Sequence, residues 1–152
     1  MPTTFASLDD LRAAAGTHLG WTDWTAITQD RVDQFAEATG DDQWIHVDVD
    51  RATRESPFGG PIAHGYLTLA LTNLFLPQLI AVPAASSGVN YGTGKVRFPA
   101  PVPVGSRIRA GAEITGVDEV PGGIQTTITI TVEREGSDKP VCVVESLSRW
   151  LT

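Results

Sequence analysis

Apolar and polar residues alternate along two stretches in the second half of the chain. Over 108–115 and 124–133, the even positions are mostly apolar and the odd positions mostly polar or glycine. A period of two places the two sets on opposite faces of a β-strand. Glycine- and proline-rich turn signals follow each of these runs. The pattern predicts an antiparallel sheet with one buried face, and its expected strands cover residues 87–98, 108–115, 124–133 and 141–150.

A second spacing, near 3.6 residues, predicts two amphipathic helices in the first half of the chain. The first begins after Ser7, whose hydroxyl can cap it, and ends at Gly16. The second begins after Thr28 and carries an apolar stripe up to Gly40, a residue suited to a left-handed helix cap. A short strand over 21–27 is predicted between the two helices.

The longest apolar stretch, 62–82, predicts a third helix at the centre of the fold. We expect this helix to run from about Ala63 to about Leu76 and to end before Pro77. Apolar side chains cover most of its circumference, which is typical of a helix surrounded by other structure. Because polar residues interrupt the stretch, we interpret it as a buried helix and not as a membrane span. The prediction is an α+β fold in which a sheet lies against one long helix.

Composition predicts one globular domain over residues 1–152. The chain has 18 acidic and 11 basic residues, and its net charge of −7 argues against binding to nucleic acid or to an anionic membrane. The single cysteine, Cys142, cannot form an internal disulfide, which is typical of a reducing compartment. Since the N-terminus lacks the basic start and apolar core of a signal peptide, we expect a cytoplasmic protein.

Asp41 and His46 are the first candidates for chemistry. Asp41 follows the second predicted helix, and both residues lie in the connection 41–61, which has no clean periodicity. Long connections of this kind are often functional. A carboxylate and an imidazole that converge can hold a water molecule and move its proton. Spacing alone leaves a second interpretation open, in which Asp41 is a polar helix end and His46 a packing residue.

Gly65 is a candidate for binding negative charge. It follows His64 at the start of the apolar helix, where the first amides have no acceptor within the helix. Without a side chain to block approach, its N–H could receive a developing oxyanion, such as the oxygen of a thioester that becomes an enolate. The alternative is that Gly65 permits a close contact between helix and sheet while His64 fills space.

No metal or cofactor site is predicted. The acidic run around His46 lacks the glycine and terminal glutamate of a calcium loop and a second histidine at helical zinc spacing. The segment 92–95 lacks the spacing of a phosphate-binding loop. Cys142 lies in an apolar strand, where a core role is more typical than a nucleophilic one.

Three segments carry a resemblance to a known family. They read Phe35-Ala36-x-x-Thr39-Gly40-Asp41-x-Gln43-x-Ile45-His46-x-Asp48, Phe58-Gly59-x-Pro61-Ile62-Ala63-His64-Gly65 and Val96-Arg97-Phe98-Pro99-Ala100-Pro101-Val102-x-Val104-Gly105. In this order they resemble the MaoC-like, (R)-specific enoyl-CoA hydratases over roughly residues 20–150. The similarity is greatest to short, single-domain members of the actinobacterial type, a group that includes proteins named nodulation protein N-like.

The resemblance implies a hotdog fold, in which a curved antiparallel sheet wraps around a long central helix, and a homodimer joined sheet edge to sheet edge. It implies that Asp41 is the general base, that His46 positions the water and shares the proton transfer, and that the Gly65 N–H binds the thioester oxygen. Water would add across the C2=C3 bond of a trans-2-enoyl-CoA to give a (3R)-3-hydroxyacyl-CoA. The reaction needs no metal and no organic cofactor.

Two further positions matter because they depart from the family pattern. Gln43-Trp44 stands where the family often has Asn-Pro, and Gln43 keeps the amide. Asn73 occupies the helix position from which some relatives support the catalytic carboxylate with a hydroxyl, so it could donate a hydrogen bond to Asp41. Candidates for contact with the phosphates of coenzyme A, which solvated strand charges explain equally well, are Lys95, Arg97, Arg107 and Arg109.

Two other classes of function share parts of this prediction. A hotdog acyl-CoA thioesterase or a dehydratase of acyl-carrier-protein substrates would keep the fold and the thioester site but differ in the bond broken or in the carrier. A non-catalytic acyl-CoA-binding or partner module would bind without turnover. The presence of both Asp41 and His46 counts against the last of these.

Overall fold

The computed structural model describes residues 1–152, which form six helices and eight strands. The helices are α1 Leu8–Arg12, α2 Gln29–Thr39, α3 Trp44–Val47, α4 Val49–Glu55, α5 Gly65–Ala70 and α6 Thr72–Leu79. The strands are β1 Thr3–Thr4, β2 His18–Trp21, β3 Thr25–Ala26, β4 Ile80–Ala81, β5 Ser87–Arg97, β6 Arg107–Val120, β7 Gly123–Arg134 and β8 Pro140–Leu151.

The main sheet is antiparallel, in the order β2-β6-β7-β8-β5, with β3 also paired to β6. The alternation predicted for its long strands is confirmed. Along β7, the residues Ile124, Ile128 and Val132 are fully buried, whereas their odd-numbered neighbours are partly exposed. The buried face packs with Leu67 and Phe75 of the helices α5 and α6 in one apolar core. The predicted α+β arrangement is therefore present.

The central helix differs from its prediction in three ways. It begins at Gly65, it breaks at Leu71 into α5 and α6, and it continues past Pro77 to Leu79. Proline removes one helical hydrogen bond, but Pro77 and Asn73, whose carbonyl loses its partner, are both exposed, so water can replace the bond. Burial is also one-sided, since Tyr66 is 70% exposed. None of the helices combines the length and apolar character needed to cross a bilayer.

The predicted helix caps at Ser7 and Thr28 are confirmed. Each side chain accepts a hydrogen bond from a main-chain N–H three residues later. The helix α2 ends at Gly40, which has a φ of 82° as expected for a left-handed cap. The helix α1 is shorter than predicted and ends at Arg12 instead of Gly16. The predicted strand over 21–27 is interrupted, so β2 ends at Trp21 and β3 covers two residues.

The connection 41–61 contains two helices that the sequence pattern did not predict. α3 has four residues and α4 has seven, which is too short for a helical period to be recognisable. Asp48 separates them and caps α4 by accepting from the N–H of Arg51. As a consequence, His46 lies on a helix and not in an irregular turn.

Candidate active site

Asp41 is placed by the chain reversal at the end of α2. The left-handed Gly40 turns the backbone out of the helix, and the Asp41 N–H donates to Oγ1 of Thr39 at 3.3 Å. The Asp41 side chain is 52% exposed, and the nearest basic nitrogen is Nε2 of His64, 4.0 Å from its carboxylate. The main chain at Asp41 is therefore anchored while the carboxylate faces open space.

His46 is held in one orientation by main-chain groups. It is 7% exposed on α3, and its Nδ1 lies 2.6 Å from the carbonyl oxygen of Ile62. Because a carbonyl can only accept, Nδ1 carries the hydrogen, and Nε2 of the neutral ring is left as an acceptor. The main-chain carbonyl of His46 accepts a second bond from Nε2 of Gln29 at 2.7 Å, which ties α3 to α2.

Burial lowers the pKa of His46 below its ordinary value of 6.5. The hydrogen bond to Ile62 opposes this shift, His64 adds to it, and the charge of Asp41 opposes it weakly. Burial dominates because the imidazolium loses more hydration than the neutral ring. His46 is therefore neutral at neutral pH and presents a lone pair at Nε2.

His64 contacts both Asp41 and His46, which the sequence alone did not reveal. It is 2% exposed, and its Nε2 lies 2.8 Å from the main-chain carbonyl oxygen of Asp41. Its ring stacks on His46, with centroids 3.8 Å apart and planes 23° apart, and it also contacts Phe35. From the sequence, His64 was expected to be a structural residue between loop and helix; its position directly before Gly65 was the available signal of these contacts.

Three potential ligand atoms, one each from Asp41, His46 and His64, all lie within 4.8 Å of one another. The carboxylate and the Nε2 of His46 can both accept hydrogen bonds, so a water molecule between them can donate to each. The same three residues could be considered for a metal ion. The lone pair of an imidazole lies in the ring plane, however, and two stacked rings with centroids 3.8 Å apart hold their lone pairs in separate, nearly parallel planes, while Nε2 of His64 carries the hydrogen bonded to Asp41. The stack therefore disfavours chelation of one ion by both histidines.

Gly65 is the first residue of α5, and its N–H donates to no main-chain carbonyl of the chain. A methyl group at this position would lie 3.0 Å from Cδ2 of Phe98, so glycine allows that ring to approach more closely than alanine would without a small shift. Gly65, Thr68 and Phe98 line a largely apolar cavity of about 300 Å³, together with Phe58. The expected donor for a developing oxyanion is therefore unpaired and borders a cavity.

The two supporting residues expected from the resemblance form no hydrogen bond with Asp41. Gln43 is exposed before α3, and its side chain makes no capping hydrogen bond. The Oδ1 of Asn73 accepts from Nδ2 of Asn90 on β5 at 2.9 Å. Asn73 lies on the face of α6 that is turned toward β5, which is why the predicted hydrogen bond to Asp41 is absent.

The chain is similar to known proteins of one family. Residues 10–136 match the family model described as MaoC like domain. The chain is 53% identical over 149 residues to 3-hydroxyacyl-thioester dehydratase Z of Mycobacterium tuberculosis, covering 97% of this chain and 98% of that protein. It is 39% identical to Nodulation protein N of Rhizobium leguminosarum bv. viciae, over 96% of this chain and 89% of that protein.

A solved structure shares the fold at lower identity. The unliganded R-hydratase PhaJ1 from Pseudomonas aeruginosa superposes with a TM-score of 0.73 at 22% identity, covering 90% of this chain and 81% of that chain. This likeness confirms the expected hotdog fold. The match of the family model to residues 10–136 and the 53% identity to a 3-hydroxyacyl-thioester dehydratase show that the chain belongs to the MaoC-like dehydratase family of hydro-lyases.

Proposed function

We propose that residues 1–152 act as one domain that hydrates trans-2-enoyl-CoA to (3R)-3-hydroxyacyl-CoA and catalyses the reverse dehydration. The observation that carries this proposal is the convergence of the Asp41 carboxylate and the His46 ring within 4.8 Å. His64, which stacks on His46, is followed directly by Gly65, whose N–H is unpaired. The relative at 53% identity is named a 3-hydroxyacyl-thioester dehydratase, which is the same reaction in the other direction.

In the proposed mechanism, the water molecule donates one hydrogen to the carboxylate of Asp41 and the other to Nε2 of His46. As the water oxygen bonds to C3 of the substrate, Asp41 takes one proton and the new hydroxyl keeps the other. The electron pair of the double bond moves toward the thioester oxygen, where the N–H of Gly65 stabilises the enolate. Return of the proton from Asp41 to C2 restores the carboxylate. The product has gained one hydroxyl at C3 and one hydrogen at C2, which together are the water molecule.

We propose coenzyme A as the carrier because two of the four candidate cations named above form no ion pair. Arg107 pairs with Glu135, and Arg109 pairs with Glu133 at 2.6 Å. Lys95 and Arg97 of β5 form no ion pair, although they share a groove with Glu145 and Pro99, and Pro99 also lines the Gly65 cavity. The two free cations could meet phosphate groups. An acyl-carrier-protein thioester carries a phosphopantetheine arm as well, so it is the competing substrate in the test.

We propose that the active form is a homodimer joined through β5. This strand is one edge of the main sheet, and ten of its 11 residues are exposed. Long, exposed edge strands pair readily with a second chain. Tyr66 and Tyr91 are 70% and 57% exposed beside a cavity of about 550 Å³ that β5 shares with α2, α5 and α6. A second copy on β5 would cover this cavity.

The test is turnover of crotonyl-CoA, followed as loss of the enoyl-thioester absorbance, with longer enoyl-CoAs and an acyl-carrier-protein series in parallel. We expect hydration of an enoyl-CoA with (3R) product by chiral analysis. Release of free thiol from a saturated acyl-CoA would indicate a thioesterase instead. If every chain length on both carriers stays unchanged, or if the product is the (3S) isomer, the proposal is wrong.

A further inference from the structure

The two buried imidazoles of the site are fixed in opposite tautomers by main-chain carbonyls. His64 has its Nε2 on the carbonyl of Asp41, and His46 has its Nδ1 on the carbonyl of Ile62. A carbonyl accepts only, so these are the nitrogens that carry hydrogen. The other nitrogen of His64, Nδ1, is buried and has no partner. The ring of His64 therefore contacts the site in two ways: Nε2 donates to the carbonyl of Asp41, and one face stacks on His46.

We propose that His64 is a positioning residue for the addition of water: it anchors the main chain of Asp41 through Nε2 and supports the ring of His46 by stacking. The proposal rests on the hydratase function proposed above. In this role, His64 sets the distance between the carboxylate of Asp41 and the imidazole of His46, between which the water molecule is held. His64 itself contacts neither the water nor the substrate.

The contacts of Asp41 show why such an anchor is needed. Its carboxylate is half-exposed and 4.0 Å from the nearest nitrogen, so no close ion pair fixes the side chain. Its position depends on the backbone, which is held at the N–H by Thr39 and at the carbonyl by His64. Misplacing a reacting group by about 1 Å can lower a rate about 100-fold.

The contacts of His46 depend on the same residue. One edge of the ring is bonded to Ile62, and one face is covered by His64 at a centroid distance of 3.8 Å. Burial of the His46 ring lowers its pKa, and His64 adds to this shift. Removing the stacked ring would open that face to water and raise the pKa of His46 toward its ordinary value.

Two substitutions separate the two roles. His64→Phe keeps a ring against His46 but removes the donor to Asp41. His64→Gln keeps an amide donor that can reach Asp41 but removes the ring. Asp41 is half-exposed, so a water molecule can replace a hydrogen bond lost at its carbonyl. We therefore expect both variants to fold. His18→Gln, at an exposed histidine of β2, is the matched control and should leave kcat within about twofold of wild type.

We expect His64→Phe to lower kcat about 10- to 100-fold with little change in KM, as for the loss of a residue that orients a reacting group. We expect His64→Gln to move the acid limb of the pH profile of kcat/KM to higher pH. In an Asp41→Asn background, His64→Phe should lower kcat by no more than about twofold, because it acts through Asp41. An undiminished effect in that background, or wild-type kcat and pH profile in both variants, would overturn the proposal.

A readout without turnover separates this proposal from the function. The ¹⁵N shifts of the imidazole nitrogens at neutral pH should show hydrogen on Nε2 of His64 and on Nδ1 of His46 in the wild-type protein. Hydrogen on Nδ1 of His64 would overturn the proposed anchor even if the enzyme is active. The expected tautomers in a protein that hydrates no enoyl thioester would leave the anchor in place and reject the function. Melting temperatures of both His64 variants check that they fold, and a variant that does not fold leaves the tautomer result as the deciding one.

Discussion

The start of α5 and the outer face of α5 and α6 belong to the same central helix. They differ in how much of each region is buried and hydrogen-bonded within one chain. At the start, His46 and His64 are 7% and 2% exposed, and each has a hydrogen bond from one ring nitrogen to a main-chain carbonyl. On the outer face, Tyr66 and Leu74 are 70% and 43% exposed, and Tyr66 lines the cavity that the helices share with the edge strand β5.

This difference supports the proposal that the reacting groups are assembled within one chain, whereas the cavity beside β5 is completed by a second chain. The reacting groups need fixed orientation, which buried hydrogen bonds supply. The outer face offers apolar surface and unpaired backbone groups, which suit contact with a second chain. Substitutions at the two regions should therefore affect different properties.

The largest effect is expected from Asp41→Asn, which removes the proposed base while keeping the shape of the side chain. Loss of a general base lowers kcat about 10²- to 10⁴-fold, and the melting temperature should change little because Asp41 is half-exposed. Steady-state kinetics with an enoyl-CoA measure the effect. Asp42→Asn, at the exposed neighbouring residue, is the matched control. An Asp41→Asn enzyme within about tenfold of wild type would remove Asp41 from the proposed role.

A smaller effect, on assembly first and on rate second, is expected from Val89→Lys in β5. Val89 is 47% exposed, and a two-fold interface through β5 would bring two added lysines to the same region, where they repel. We expect a monomer by light scattering and a fall in kcat/KM of about tenfold or more. Val49→Lys, at a residue of α4 that is 45% exposed, should change neither. A Val89→Lys dimer with full activity would contradict the proposed interface.

Gly65→Ala should have a moderate effect on activity. The added methyl group would lie 3.0 Å from the ring of Phe98, so the ring or the amide must move by a few tenths of an ångström. We expect kcat/KM to fall about tenfold, less than for full loss of an oxyanion donor. Gly60→Ala, where a methyl group meets nothing within 4 Å, is the control. Adding Phe98→Leu should restore part of the activity, and no recovery would argue against this explanation.

The smallest effect is a pH dependence of stability. The folded protein lowers the pKa of His46, so below about pH 6.5 the unfolded chain binds more protons at this residue than the folded chain. The contribution of His46 is therefore complete above pH 6.5 and is lost as the pH falls toward the lowered pKa. Melting temperatures from pH 8 to pH 5 should fall less steeply in His46→Gln than in wild type. If the melting temperature of His46→Gln fell more steeply than that of wild type, the pKa of His46 would be raised by folding and not lowered.

Local sequence signals predicted the elements that depend on neighbouring residues. The capping side chains of Ser7 and Thr28, and the left-handed Gly40, gave the helix ends that the structure confirms, apart from the end of α1. The alternation over 124–133 gave the buried face of β7. These features are set within about one helical turn or one strand, so no tertiary information is needed.

Features that depend on distant contacts were not predictable. The hydrogen bond from His64 to the carbonyl of Asp41 joins residues 23 positions apart, and no local pattern reports it. Asn73 was expected near Asp41, but the direction of its side chain follows from how α6 packs beside β5, where Asn90 lies. The order Asp41, His46 and Gly65 identified the family, whereas the way these groups are held became visible only in three dimensions.

The most direct test of the proposed site is a crystal structure of the Asp41→Asn variant with a (3R)-3-hydroxyacyl-CoA. The account predicts the 3-hydroxyl within about 2.6–3.2 Å of Nε2 of His46 and of the side chain at position 41, and the thioester oxygen about 3 Å from the nitrogen of Gly65. A ligand bound with its hydroxyl away from both side chains, or with its thioester oxygen on another donor, would contradict it.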